Sequence, residues 1–242
     1  SQSMYSAMRA IQEEMGGPEK MELVNSESMF VVDDAAAAIR DYASEGYDLV
    51  IAHGSQYGSS LREIAPDFPE TAFAHGPTVD TFADEGVENV FAYEAASHEG
   101  GYVNGVMAAM LTDSNVIGVV GPIETGDAKL YVDGFAAGVK ATNPDAEVND
   151  VLWFGTQASQ TSLAPGIVVA NQVYDWSVVL DEIIELIGQG TYGGQAFVIT
   201  LENEGLLMDY NPDFEMPADV KSAAEDAVKG IVDGSITVDI GE

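Results

Sequence analysis

Three apolar runs constrain this chain most: YDLVIAHG (47–54), ETAFAHG (70–76) and ENVFAYEAA (88–96). None alternates polar with apolar residues, as a strand with one wet face would. Helical patterns precede the first run, separate it from the second and follow the third. A strand that is apolar on both faces must be covered on both. The expectation is therefore an α/β fold with a parallel sheet between two helix layers.

The flanking patterns agree. MYSAMRAIQEEMGG places Met4, Met8, Ile11 and Met15 on one helical face and stops at Gly16-Gly17; the methionines read as core. VDDAAAAIRDYASEG has acidic residues in its first turn and glycine at its end, as the helix dipole favours. KMELVNSES, NVIGVVGP, AEVNDVLWFG and IVVANQVY read as further strands, and DAKLYVDGFAAGVKATNP and DWSVVLDEIIELIGQG as helices. AFVITLENEGLLMDY reads as a hairpin or two short strands. PADVKSAAEDAVKGIVDG is a last helix, with SITVDI a closing strand.

Composition removes several functions. The 242 residues hold 8 Lys plus Arg against 41 Asp plus Glu, a net charge of −33, although only 20% of residues are charged. Counterion release needs clustered Lys and Arg, so nucleic-acid binding is excluded as an expectation. Recurrent aromatic and branched residues exclude disorder. A carboxylate surface in concentrated salt, where screening removes self-repulsion, is the preferred reading and points to a halophilic source. There is no cysteine, hence no disulfide or thiolate metal site. No HxH or HExxH spacing supports a metal, and no P-loop, GxSxG or Ser-His-Asp ordering supports an enzyme. No run reaches transmembrane length.

HEGGYVNGVMAAM (98–110) is the most distinctive stretch. Its glycines do not space as GxGxxG, and its polar flanks exclude a membrane-helix pair. Gly101 and Gly105, four apart on one helical face, instead let the backbone approach a neighbouring element closely.

EGGYVNGVMAAMLTDSNVIGVVG followed by DGFAAGVKATNPDAEV resembles the BMP family of substrate-binding lipoproteins, the basic membrane protein or purine-nucleoside-receptor type. Glu99, Gly100, Tyr102, Gly105, Gly118, Gly134, Phe135, Gly138, Asn143 and Pro144 carry the pattern. SQSMYSAMRAIQEE, YDLVIAHG with IAPDFPETAF, and SLAPG followed by YDWSVVLDEII extend it over most of the chain.

The resemblance implies a type I periplasmic-binding-protein fold, with two doubly wound parallel-sheet lobes joined by a hinge and ligand held in the cleft on closure. The amino-terminal lobe is expected to take residues 1–94 plus about 172–196, and the carboxy-terminal lobe 95–171 plus about 197–242. The family has a strand before the first helix and further βα units where this chain has only six residues between VLWFG and SLAPG. The full protein is therefore expected to carry segments missing here, before Ser1 and near residues 155–158.

In open parallel sheets ligands bind beyond the carboxyl ends of the strands. That rule selects His53, Gly54, Ser55, Tyr57, His75, Trp153 and Phe154. The entry to the first helix adds Gln2 and Ser3, and the late crossover adds Tyr174 and Trp176. His53 and His75 each precede a glycine; each reads equally well as a ligand contact or as a strand-end residue bonding a carbonyl. The aromatic residues could stack on a planar base, with core packing preferred for Phe154 and Trp176. Trp153 and Phe154, adjacent on a strand, face opposite sides.

The implied function is an extracytoplasmic solute-binding protein of an ABC importer. It would capture a nucleoside, purine or related base and deliver it to a membrane permease. It would need no cofactor and no metal, act as a monomer, and be lipid-anchored at the outer face of the cell membrane. Nucleoside binders of the family often carry a lysine near Tyr174, which this chain lacks. A ligand-sensing regulator with the same two-lobed fold is the alternative, and an enzyme on this scaffold the third reading.

Overall fold

In a computed structural model, residues 2–119, 126–146, 153–163, 165–166 and 168–240 are described, except for the side chain of Trp153. The first part of the chain forms α1 (Gln2–Glu14), α2 (Val32–Glu45), β1 (Leu49–His53), α3 (Gly58–Ile64), β2 (Ala72–Gly76), β3 (Val90–Ala95) and α4 (Ser97–Leu111). The rest forms α5 (Gly126–Thr142), β4 (Trp153–Gln157), β5 (Val168–Tyr174), α6 (Ser177–Gly188), β6 (Ala196–Ile199), β7 (Leu206–Tyr210) and α7 (Ala218–Val232).

The three apolar runs become β1, β2 and β3, paired in parallel from Leu49↔Ala72 to His53↔Gly76 and from Phe73↔Val90 to His75↔Ala92. β6 completes a sheet ordered β1-β2-β3-β6, and a second sheet is ordered β4-β5-β7. The chain divides into two compact units, Ser3–Glu94 with Trp176–Val198, and Ala95–Asp175 with Ile199–Glu242, so it passes between them three times.

The core of the first unit shows why its strands read as continuously apolar. Ile39 and Ala43 of α2, Leu61 and Ile64 of α3, and Phe73 and Val90 of the sheet share one buried cluster. α2 starts with Asp33 and Asp34 and ends at Gly46, whose φ of 89° an L side chain rarely adopts. Fixing the loop between β2 and β3, the buried Asn89 amide donates to the carbonyls of Ala65, Phe68 and Thr71.

In the second unit α4 and α5 meet backbone to backbone. A Cβ on Gly101 would lie 2.4 Å from the Tyr131 carbonyl oxygen, and one on Gly105 2.1 Å from that of Phe135. The relation is reciprocal: a Cβ on Gly134 would lie 2.2 Å from the His98 carbonyl oxygen, and one on Gly138 2.1 Å from that of Tyr102. The close approach expected of Gly101 and Gly105 is thus made to a second glycine pair.

Several expectations are corrected. KMELVNSES is irregular rather than a strand, because its alternation has no ladder partner among the described residues. SITVDI is irregular for the same reason. Only Val116 of NVIGVVGP makes a bridge within 115–119; positions 120–122, like 147–152 of AEVNDVLWFG, lie outside the described residues. Of the two readings of AFVITLENEGLLMDY, the two short strands hold, and they lie in different sheets. β7 runs antiparallel to β5, so this sheet is mixed rather than parallel. Met15 is 48% exposed, because α1 ends at Glu14 before the next core-facing position.

Four ion pairs form among the described residues: Arg40–Asp67, Arg62–Glu85, Lys129–Asp133 and Lys221–Glu225. With 8 Lys plus Arg against 41 Asp plus Glu, the chain has too few cations to neutralise most of its carboxylates. The unfolding midpoint is expected to rise steadily from low salt to molar KCl, as screening lowers their repulsion. A midpoint unchanged over that range would refute the salt-adapted reading.

Candidate functional site

Each unit places a cluster of interacting side chains at strand ends. In the first, β1 ends at His53, whose Nδ1 lies 2.9 Å from the Tyr93 hydroxyl, with the two rings stacked at a centroid distance of 5.9 Å. Trp176 meets both rings edge-on, at 5.9 Å from His53 and 5.2 Å from Tyr93. Its Nε1 donates to Ser3 Oγ at 3.1 Å, which ties α1 to the residue preceding α6. Trp176 is only 1% exposed.

Burial pushes the His53 pKa down to about 3 and raises that of Tyr93 well above its usual value. Both are neutral at ordinary pH. An unfolded histidine protonates near 6.5, so His53 favours the folded state fully above that pH, and the contribution is lost as pH falls from 6.5 toward 3. His53→Gln is expected to flatten the pH dependence of stability in this window. Parallel profiles for the variant and the parent would contradict the assignment.

His75 ends the neighbouring strand but faces the other side of the sheet. Its register partner is Ala52, one residue before His53, and successive residues point to opposite faces. Its ring stacks on Phe82 at 5.6 Å and closes over Gly58, where a Cβ would lie 3.0 Å from Cε1. Burial lowers its pKa, and both of its buried ring nitrogens lack a hydrogen-bond partner among the described residues. The two histidines are therefore adjacent in the sheet without sharing a surface.

The remaining residues selected from sequence are dispersed. Gln2 and Ser55 are exposed. The Gly54 amide donates to the Gly76 carbonyl at 2.5 Å. Tyr57 is buried in the first unit's core and donates its hydroxyl to the Met29 carbonyl at 2.5 Å. Phe154 lies against the core of the second unit, edge-on to Phe135 at 6.0 Å. The Trp153 side chain lies outside the described residues.

The second unit gathers a polar cluster where β4 ends and α4 and α5 begin. The Tyr174 hydroxyl, on β5, lies 2.8 Å from Ser97 Oγ and receives a hydrogen bond from Thr156 at 3.3 Å. Thr156 is also 3.0 Å from Gln172 Oε1, and the Gln172 amide donates to the Ser97 carbonyl at 3.1 Å. Gln157 Nε2 donates to Asp127 Oδ2 at 3.2 Å. Burial raises the Asp127 pKa, opposed by hydrogen bonds from the Ala128 backbone, Gln157, its own backbone amide and Tyr174.

Of this cluster, sequence reasoning selected only Tyr174. Asp127 has the signature of any acidic first-turn residue, hidden among 41 carboxylates. Thr156 and Gln157 lie just past Gly155, where the strand was expected to end. The available signal was an Asp at a helix start following NVIGVVG, a run that the sequence reads as a glycine-ended strand.

Two α/β units traversed three times by one chain, with side-chain clusters at strand ends, have the fold of the type I periplasmic-binding proteins. A solute-binding protein of an ABC transporter system from Conexibacter woesei superposes with a TM-score of 0.75 over 99% of this chain and 94% of its own, at 19% identity. The chain belongs to the Bmp family, ABC transporter substrate-binding proteins of the PnrA-like type, whose model matches residues 1–156.

Among curated relatives, a purine-binding protein of Brucella abortus is 28% identical over 135 residues, 56% of this chain and 37% of its own. A nucleoside-binding ABC transporter protein of Lactococcus lactis is 28% identical over 130 residues, 54% of this chain and 35% of its own. The transcriptional activator protein med of Bacillus subtilis is 31% identical over 117 residues, 48% of this chain and 34% of its own. The chain thus spans about a third of the length of these relatives.

Proposed function

We propose that this chain is the solute-binding component of an ABC importer and captures a nucleoside or nucleobase-like solute. It would act outside the cytoplasmic membrane and hand the solute to a membrane permease, with no bond made or broken. Membership of the Bmp family carries this reading. The purine- and nucleoside-binding relatives support the choice of ligand class. The polar cluster around Asp127 and Tyr174 supports it independently, as a set of hydrogen-bonding groups at the strand ends where such sheets receive ligands.

A thermal-shift screen against purine nucleosides, free bases and sugars tests the reading. At one hundred times its Kd a ligand stabilises the folded state by about 2.7 kcal/mol. In a chain of this size that corresponds to roughly 5–10 °C. Nucleosides or bases are expected to give such shifts. Shifts from sugars alone would overturn the ligand class.

A ligand-sensing regulator is the second reading, favoured by the relative described as a transcriptional activator. Stimulation of a permease ATPase by the ligand-loaded protein would support import, and its absence would favour the regulator.

A further inference from the structure

We propose that Tyr93 is a positioning residue: its hydroxyl, donating to His53 Nδ1, holds the imidazole proton on Nε2, so that the end of β1 offers a hydrogen-bond donor to an acceptor atom of the solute. The inference deepens the proposed function and rests on it.

The register of the first sheet brings the two side chains together. His53 of β1 pairs with Gly76 of β2, and Tyr93 of β3 lies one residue beyond the Ala92 that pairs with His75. The three positions therefore share one face of the sheet across adjacent strands. Gly76 has no side chain, and the Tyr93 ring fills its place: a Cβ there would lie 2.3 Å from Tyr93 Cε2. Tyr93 thus reaches over β2, and its hydroxyl lies 2.9 Å from His53 Nδ1.

Hydrogen counting then fixes the tautomer. A neutral imidazole carries one proton, on Nδ1 or on Nε2, and burial keeps His53 neutral at ordinary pH, with a pKa of about 3. Were the proton on Nδ1, it would point at the Tyr93 oxygen, and the phenolic O–H would need another acceptor. Tyr93 is 0% exposed, and its hydroxyl has no other partner among the described residues, so that O–H would be stranded. With the O–H donating to Nδ1 both groups are satisfied, and the imidazole proton lies on Nε2. Trp176, edge-on to both rings and bonded to Ser3 Oγ, keeps the pair in place. His53 Nε2 has no partner among the described residues, yet it is not a buried unpartnered nitrogen as both of His75 are. The His53 ring is only partly buried. Its N–H thus reaches the surface at the carboxyl end of β1, where sheets of this kind receive ligands. A neutral donor in a chain of net charge −33 suits an uncharged acceptor, such as a ring nitrogen or carbonyl oxygen of a base, better than an anion.

Long-range proton–nitrogen NMR of the isotope-labelled chain reads the tautomer directly, with the His53 signals assigned by their loss in His53→Gln. A pyridine-type shift is expected for Nδ1 and a pyrrole-type shift for Nε2. The reverse pattern overturns the proposal whatever the protein binds. On addition of a purine nucleoside the Nε2–H signal is expected to move downfield and to exchange more slowly with water. Tyr93→Phe is expected to mix the two tautomers and to weaken nucleoside binding roughly three- to tenfold, as for the loss of one hydrogen bond. In a His53→Gln background the same substitution is expected to cost no further affinity; an equal loss in both backgrounds makes Tyr93 merely structural and overturns the proposal. Nucleoside binding that leaves the Nε2–H signal unchanged overturns the proposal and leaves the proposed function standing. Binding of neither purine nucleosides nor free bases overturns the proposed function, and the donor's role with it. Should Tyr93→Phe fail to fold, the parent's tautomer and its response to the nucleoside still decide the question.

Discussion

Replacing Gly105 with alanine is expected to destabilise the protein by about 3 kcal/mol, the upper end of overpacking penalties. The added Cβ would lie 2.1 Å from the Phe135 carbonyl oxygen and 3.0 Å from the Val139 nitrogen. Both atoms belong to the backbone of α5, so no rotamer change relieves the clash and the two helices must separate. Gly138→Ala, 2.1 Å from the Tyr102 carbonyl oxygen, is expected to act similarly from the other helix. In a chain of this size the melting temperature would fall by roughly 6–12 °C. The control is Gly188 in α6, where a Cβ would meet nothing within 4 Å. There alanine is expected to stabilise by about 0.5–1 kcal/mol through helix propensity. Opposite signs at the two sites would establish the backbone contact; stabilisation at Gly105 would remove it.

Trp176→Ala is expected to cost about 3–5 kcal/mol, the usual loss for a large buried aromatic side chain. The substitution removes the edge-on contacts to His53 and Tyr93 and the donor to Ser3 Oγ. Trp176→Phe keeps most of the volume and loses the hydrogen bond, so about 1 kcal/mol is expected. Chemical denaturation of the two variants measures both values. The pair separates a structural from a ligand-stacking role. If Trp176→Ala melts like the parent but loses ligand, the ring belongs to a binding surface rather than to the core of the first unit.

The sequence made the core of the first unit legible because β2 is buried at every position and the first four residues of β3 are buried too. Such runs have no other stable environment. KMELVNSES and SITVDI carry similar apolar content in an extended form, yet a strand also needs a ladder partner, and partners are set by tertiary structure. The antiparallel direction of β7 was hidden for the same reason. The EGGYVNG glycines did announce a close approach, but nothing local identified Gly134 and Gly138 as the other half of it.

The candidate site was less legible. The strand-end rule located His53, His75 and Tyr174 in the chain. It could not show that His53 and His75 face opposite sides of one sheet, because facing follows from register. It passed over Asp127 and Gln157, since a first-turn acid and a glutamine two residues after a glycine have common structural uses. Phe154 and Trp176, for which core packing was preferred, lie against the aromatic side chains of their own units.

The central claim is capture of a nucleoside or nucleobase-like solute, and calorimetric titration of the purified chain with a purine nucleoside in molar KCl tests it most directly. The account predicts saturable binding near one site per chain, with a Kd in or below the micromolar range, about −8 kcal/mol or more favourable. Absence of saturable binding to purine nucleosides and free bases, with the protein shown to be folded at the same salt, would contradict it.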